Sequence, residues 1–431
     1  MDPIGITRRE CLRIGALGAA GFSLARALEL LDLVPLAGRS GSTSVILVWL
    51  DGGLSHIDTF DAKPGAPEEI RGDWKSVATP IPGVRFGEGM ERLAAAMPRC
   101  ALIRSLHSEA GEHEIARHMM LTGYPQTPAL EYPCYGAVAA DRMGEAAKPS
   151  AVPPYLAIGP MNRQLGAGFL PPDRNPFEVE GNPASAEFVV RDVTCPAGLT
   201  PDRIARRRRL LDELDGFRRR FEADASVRAR SKAIERAYAL VSSKDAREAF
   251  ALEREPQTVR DRYGMHPLGQ RCLMARRLVE AGARFVTVID PGWDHHSGIF
   301  EQLKLHRIPK LDQAIPALLD DLAERGRLDD VLVVVMGDFG RTPKLNPMGG
   351  RDHWPRANVA LLAGAGVKGG TVVGATDERA ESVVERPVSI ADFAATLYTL
   401  VGIDPKGELH TADGRPVRLV DGGEPVAECL A

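Results

Sequence analysis

At 431 residues the chain is long enough to bury one large core. Charged residues make up 26% and hydrophobic ones 44%, the balance of a soluble globular protein, which excludes a disordered or fibrous chain. A net charge of −4 and a pI of about 6.2 supply no basic field, so no nucleic acid partner is expected.

Residues 1–40 read as a signal and leader. Thr7-Arg8-Arg9-Glu10-Cys11-Leu12-Arg13 is basic, residues 14–24 are uncharged and dominated by Gly, Ala and Leu, and Ala25-Arg26-Ala27 is a small-x-small cleavage site. This resembles a twin-arginine export signal, with Cys11 where the usual pattern prefers Phe. The apolar stretch is too short to span a bilayer, so a stable membrane anchor is not expected. The expectation is a protein carried by the twin-arginine machinery, already folded and metal-loaded, to the periplasm or cell surface. The cysteines are scattered and form no CxxC, which reads as core positions rather than a disulfide framework.

Residues 44–50, SVILVWL, are an apolar run expected as a central strand. It ends at Asp51-Gly52-Gly53, followed by Ser55, His56, Asp58 and Asp61. A carboxylate directly after a buried strand, beside glycines that permit close backbone approach, suits a metal ligand or a phosphate contact. The Pro/Gly-rich residues 144–183 read as loops around one short strand, walling a site. Residues 200–242 are strongly charged with leucines and isoleucines at helical spacing, which predicts a helical insertion over about 199–255. Its run Arg206 to Arg209 is followed by Asp212, Glu213 and Asp215, the pattern of a solvated helix face.

Amphipathic helices are predicted over 268–281 and 311–325, the second closed by Gly326, and a helix over 390–401 is capped by Ser389 and closed by Gly402. Between them, the apolar run 284–289 leads to Asp290 and then Trp293-Asp294-His295-His296. In an extended chain Asp294 and His296 leave on one face. Residues 331–336 are apolar and mostly β-branched, as in a strand buried on both faces of a parallel sheet. Asp338 and Arg341 follow, then a Gly-rich turn with Asp352 and His353. Three strands thus bring carboxylates and imidazoles to one edge, the place where open α/β sheets bind ligands. That donor set suits a divalent ion such as Zn²⁺, Mn²⁺ or Ca²⁺.

The order strand-Asp, helix ending in Leu-Thr-Gly, Asp plus His, strand-Gly-Asp and a lone His resembles the alkaline phosphatase and sulfatase superfamily. More closely, the segments LDGGLSHIDTFDAKP, MMLTGYP, GWDHHSGIF, MGDFGRTPK and GRDHWP resemble an uncharacterised, often exported bacterial family within it, and the likeness covers almost the whole chain. It implies a three-layer α/β/α domain over 41–431 with a mostly parallel central sheet. It also implies a metal site in which Asp294, a histidine (His296 ahead of His295) and His353 match the ligands of one ion, and Asp51 and Asp338 match two ligands of another. Phe339 stands where the superfamily has an imidazole, so one or two ions remain open.

Counting back nine residues from Thr122, the nucleophile position of the superfamily falls on His113, at the start of a helix over 114–121. His113 is expected as nucleophile, as proton donor, or as the imidazole that Phe339 does not supply. Ser55 is the alternative hydroxyl, and a metal-activated water needs neither. Arg117 falls on a sulfatase active-site arginine; it and Arg341 are expected to bind the anionic group. The function implied is metal-dependent hydrolysis of phosphate or sulfate esters of small molecules or glycans. The alternative is a non-catalytic protein that binds sulfated or phosphorylated glycans on a degenerate fold of this type. A mutase or transferase is disfavoured by the export signal.

Overall fold

The computed structural model describes residues 43–144, 150–190, 193, 203, 206, 209, 210 and 239–431. The expected export signal, Cys195 and most of the predicted insertion lie outside the described residues; a helix at Lys244–Phe250 falls within the bounds expected for the insertion. Among the described residues no helix is long and apolar enough to cross a membrane.

Eight strands form the central sheet: β1 (Ser44–Asp51), β2 (Cys100–Leu106), β3 (Tyr155–Ile158), β4 (Phe177–Val179), β5 (Phe285–Pro291), β6 (Val331–Gly337), β7 (Asn358–Ala363) and β8 (Thr371–Val373). Their spatial order is β8-β2-β7-β6-β1-β5-β3-β4. All neighbouring pairs are parallel except those of β7, which runs antiparallel to both β2 and β6.

The residues of β1 explain the layering. Ile46, Val48 and Leu50 point into one apolar cluster, and Val45, Leu47 and Trp49 into the other, every one of them at most 1% exposed. A strand buried on both faces needs no polar alternation, hence the continuous apolar run. Each such side chain contributes roughly 1.5–3 kcal/mol on burial. The first cluster is completed by helices α3 (Pro267–Glu280) and α4 (Ile308–Glu324), through Leu273, Leu278, Ile315 and Leu319. The second is closed by α1 (His113–Thr122), α2 (Tyr135–Arg142) and α5 (Ile390–Leu400), through Met120, Leu121, Val138, Phe393 and Leu397. The result is the three-layer α/β/α arrangement with a mostly parallel sheet that the sequence predicts.

The helices predicted over 114–121, 268–281, 311–325 and 390–401 and the central strands appear within a few residues of their expected bounds. In α5, Ser389 and Asp392 form a reciprocal capping box. One expectation needs correction. The Pro/Gly-rich stretch supplies two short strands, β3 and β4, rather than one, and both join the main sheet. Cys100, Cys134, Cys272 and Cys429 are free thiols in the core, as expected.

Register fixes the site. Leu50 of β1 pairs with Gly337 of β6, and Asp51 pairs with Pro291 of β5, so three adjacent parallel strands end level with one another. Asp51, Asp338 and Asp294 therefore emerge side by side at the carboxyl edge of the sheet.

Candidate metal centre

Two glycines let the loops after β1 and β5 close on each other. Gly52 has φ +118°, and a Cβ there would lie 2.7 Å from the backbone nitrogen of Asp294. Gly53 has φ +87°, and a Cβ would lie 2.7 Å from the Phe339 ring. Only glycine accepts both the left-handed backbone and the close approach.

Arg341 locks this arrangement from below. It is fully buried; its Nε donates to Gly53 O at 3.0 Å, Nη1 to Arg351 O at 3.1 Å, and Nη2 to Gly52 O and to Asp294 Oδ1 at 2.5 Å. A guanidinium with its edges so committed holds loops; it does not face an incoming anion, which is where sequence reasoning expected it. A second buried arginine ties the same loops together. Arg351 makes a two-pronged bond to Asp58 (Nε to Oδ2 2.6 Å, Nη2 to Oδ1 2.8 Å) and donates to Ile70 O at 2.7 Å. Ser55 also donates to Asp58, at 2.6 Å, and is only 2% exposed, so the alternative nucleophile is a structural anchor.

Above this floor three imidazoles converge. His113, the first residue of α1, bonds through Nδ1 to Asp338 Oδ2 at 2.6 Å. His353 bonds through Nδ1 to the carbonyl of Gly111 at 2.7 Å. His296 bonds through Nδ1 to Asp352 Oδ1 at 2.7 Å. Carboxylates and carbonyls accept, so each ring donates through Nδ1, which leaves Nε2 as the ring atom turned toward the centre. All three Nε2 atoms point at Asp294: His113 at 3.4 Å from Oδ2, His296 and His353 at 3.0 and 3.3 Å from Oδ1. The Nε2 atoms of His296 and His353 are 3.0 Å apart, a separation at which two lone pairs repel unless a cation or proton lies between them.

The residues fit a divalent ion. Ligand atoms of His113, Asp294 and His353 all lie within 4.8 Å of one another. The Nε2 of His113 is buried and has no hydrogen-bond partner. A ring whose Nδ1–H is held by an acceptor while its Nε2 is free is the arrangement that orients a histidine ligand. Two imidazoles and a carboxylate suit Zn²⁺ or Mn²⁺ better than Ca²⁺, which prefers an all-oxygen shell.

The protonation equilibria follow from these contacts. The bond to Asp338 raises the pKa of His113, against the opposing effect of burial. Burial lowers that of His353, opposed by the Gly111 bond. Burial works to raise the Asp294 carboxyl, but the Arg341 bond and charge outweigh it and hold the group at about 2. Asp338, fully buried, is raised by burial. Asp294 is thus a carboxylate throughout the neutral range.

Sequence reasoning placed Asp51, Asp294, His296, Asp338 and His353 on metal, and His113, Arg117 and Arg341 on catalysis. The structure brings Asp294, His296 and His353 together and adds His113 to them. Asp338 lies one step out, bonded to His113, and Asp51 is engaged by Arg117 (Nε to Oδ1 2.7 Å, Nη2 to Oδ2 3.2 Å). At the start of α1 the side chain of Glu112 accepts from Ile115 N at 3.2 Å, so one of the free amides of the helix N-terminus is already satisfied. His295 turns away, buried, and burial lowers its pKa to about 4. Sequence reasoning missed the partners of the Nδ1 atoms and the Asp58–Arg351 pair. Asp352, next to His353, was the one local signal of the former.

Among curated proteins, none matches this sequence. Several solved structures are similar at low identity. Ps i-CgsB in complex with k-i-k-neocarrahexaose has a TM-score of 0.39 and 12% identity, over 84% of this chain and 72% of that one. The PsFucS1 sulfatase from Pseudoalteromonas sp. has a TM-score of 0.35 and 13% identity, over 88% and 70%. The phosphonate monoester hydrolase of Agrobacterium radiobacter has a TM-score of 0.37 and 14% identity, over 89% and 78%. The match that covers the chain is to the family described as "Protein of unknown function (DUF1501)", over residues 42–430. The chain belongs to the DUF1501 family.

Proposed function

We propose that the protein is an exported, metal-dependent hydrolase of phosphate or sulfate esters, with His113, Asp294 and His353, joined by His296, as the residues that hold the ion. The observation that carries this reading is the convergence of three Nε2 atoms on one carboxylate, each ring fixed from behind through Nδ1. A divalent ion bound there supplies Lewis acidity toward an ester oxygen and lowers the pKa of a bound water.

The chain's own groups divide the remaining work. Phe339, fully buried, lies with its ring 4.9 Å from that of His113 and 4.5 Å from that of His353, and keeps water out from beneath them. Asp338 fixes the His113 ring and its proton. Arg117 keeps a fifth of its side chain exposed at the mouth, so the guanidinium edge not committed to Asp51 faces an arriving anion. The Arg8-Arg9 segment directs export, and replacing both with Lys should leave the protein in the cytoplasm.

Hydrolysis of p-nitrophenyl phosphate and p-nitrophenyl sulfate tests the reading. Turnover should vanish on chelation, return with Mn²⁺ or Zn²⁺, and fall at least about 100-fold in Asp294→Ala. Turnover untouched by both treatments would refute it.

One observation favours a second reading, a non-catalytic binder of anionic glycans: the helix position expected to carry the nucleophile is His113, and Ser55 is committed to Asp58. Tight binding of a sulfated glycan with no ester cleavage in any metal would support that reading over the first.

A further inference from the structure

The carboxylates of Asp51 and Asp338 are already engaged by donors of the protein itself. Arg117 grips Asp51 with two parallel bonds, Nε to Oδ1 at 2.7 Å and Nη2 to Oδ2 at 3.2 Å, and its Nε stands 3.5 Å from Asp338 Oδ2. Asp51 Oδ1 also accepts from Trp49 Nε1 at 2.9 Å. Asp338 accepts from His113 on one oxygen at 2.6 Å and faces the Gly52 amide on the other at 3.5 Å. All four oxygens of the pair therefore meet N–H donors of this chain.

The residue after Asp338 is Phe339, whose apolar ring is fully buried and 4.9 Å from that of His113, so it brings no further donor to the pair. A guanidinium is charged at every accessible pH, and its planar fork matches a carboxylate edge. A divalent ion entering here would have to break the two-pronged bond and then sit against the displaced positive charge.

We propose that Arg117 is the permanent counter-cation of the Asp51–Asp338 pair, so that the centre holds one divalent ion, at His113, Asp294 and His353, and not two. This rests on the metal-dependent reading above and fixes the ion count within it. Asp51 is then a positioning residue for Arg117 and not a metal ligand.

Elemental analysis of the protein after saturation with Mn²⁺ and gel filtration tests the proposal without recourse to activity. The wild type should carry one ion per chain, and Asp51→Asn should keep it. The double variant Arg117→Met, Phe339→His, which removes the guanidinium and supplies an imidazole, should gain a second. Two ions in the wild type, loss of the ion in Asp51→Asn, or a count that stays at one in the folded double variant would each overturn the proposal. Should thermal melting show that the double variant does not fold, the first two counts still decide. A wild type with no ion at all would defeat the metal-dependent reading itself, and the proposal with it.

Discussion

Replacing Arg351 with Met tests whether the loops that carry the centre are held by one buried ion pair. Arg351 and Asp58 are 0% and 1% exposed, and the guanidinium spends two N–H groups on the carboxylate and others on the carbonyls of Ile70, Thr342 and Pro343. Methionine fills much of the volume but leaves a buried carboxylate whose remaining side-chain partner is Ser55. Breaking a buried pair from one side costs about 3–5 kcal/mol, because the surviving charge is uncompensated. The three carbonyls lose a donor as well, which places the expected loss toward the upper end of that range. Removing both charges, in Arg351→Met with Asp58→Leu, should cost less than the sum of the single changes by at least about 2 kcal/mol, since neither charge is then stranded. Urea unfolding of the wild type, both single variants and the double variant gives the cycle. A loss below about 1 kcal/mol in Arg351→Met, or strict additivity, would refute the reasoning.

Other consequences follow from the same contacts. Gly52→Ala should cost about 1–3 kcal/mol and reduce ion binding by pushing the new methyl into Asp294 N, whereas Gly402→Ala, at φ +79° with open space around it, should cost stability alone; ion titration of both separates strain from site damage. Ser389→Ala, which breaks the capping box of α5, should lower stability by about 1 kcal/mol in urea unfolding and leave the ion content unchanged. His266 caps α3 by accepting from Gly269 N at 3.1 Å, and burial, helped by the charge of Lys310, holds its pKa at about 4 against an ordinary 6.5. A folded pKa below the unfolded one means that this group's contribution is complete above pH 6.5 and is lost as pH falls toward 4. The melting temperature should accordingly drop more steeply over that window in the wild type than in His266→Asn, which can cap without titrating; parallel curves would contradict the assignment.

The parts of the fold legible in the sequence are those with a local cause. The runs of β1, β5 and β6 announce strands buried on both faces, and Ser389, Gly326 and Gly402 mark helix ends. The edge at which Asp51, Asp294 and Asp338 gather follows from those strands being parallel and level. The antiparallel sense of β7 was not legible, since an apolar run carries no mark of strand direction. In the Pro/Gly-rich stretch one short strand was legible, and the second of the pair β3 and β4 was obscured by the prolines and glycines around it.

At the site, residue identity ran ahead of role. Arg341 and Arg117 look alike in sequence, yet one is buried beneath Asp294 with backbone carbonyls around it and the other reaches across from α1 to Asp51. Partners 47 and 66 residues apart along the chain, which decide those roles, leave no trace in local spacing. The Asp58–Arg351 pair spans 293 residues and is equally silent.

The most direct test of the central claim is to locate the ion. Crystals grown with Mn²⁺ and measured for anomalous scattering should show one peak per chain, within bonding distance of His113 Nε2, His353 Nε2 and the Asp294 carboxylate. A peak between Asp51 and Asp338 instead, or none at the three converging side chains, would contradict the account.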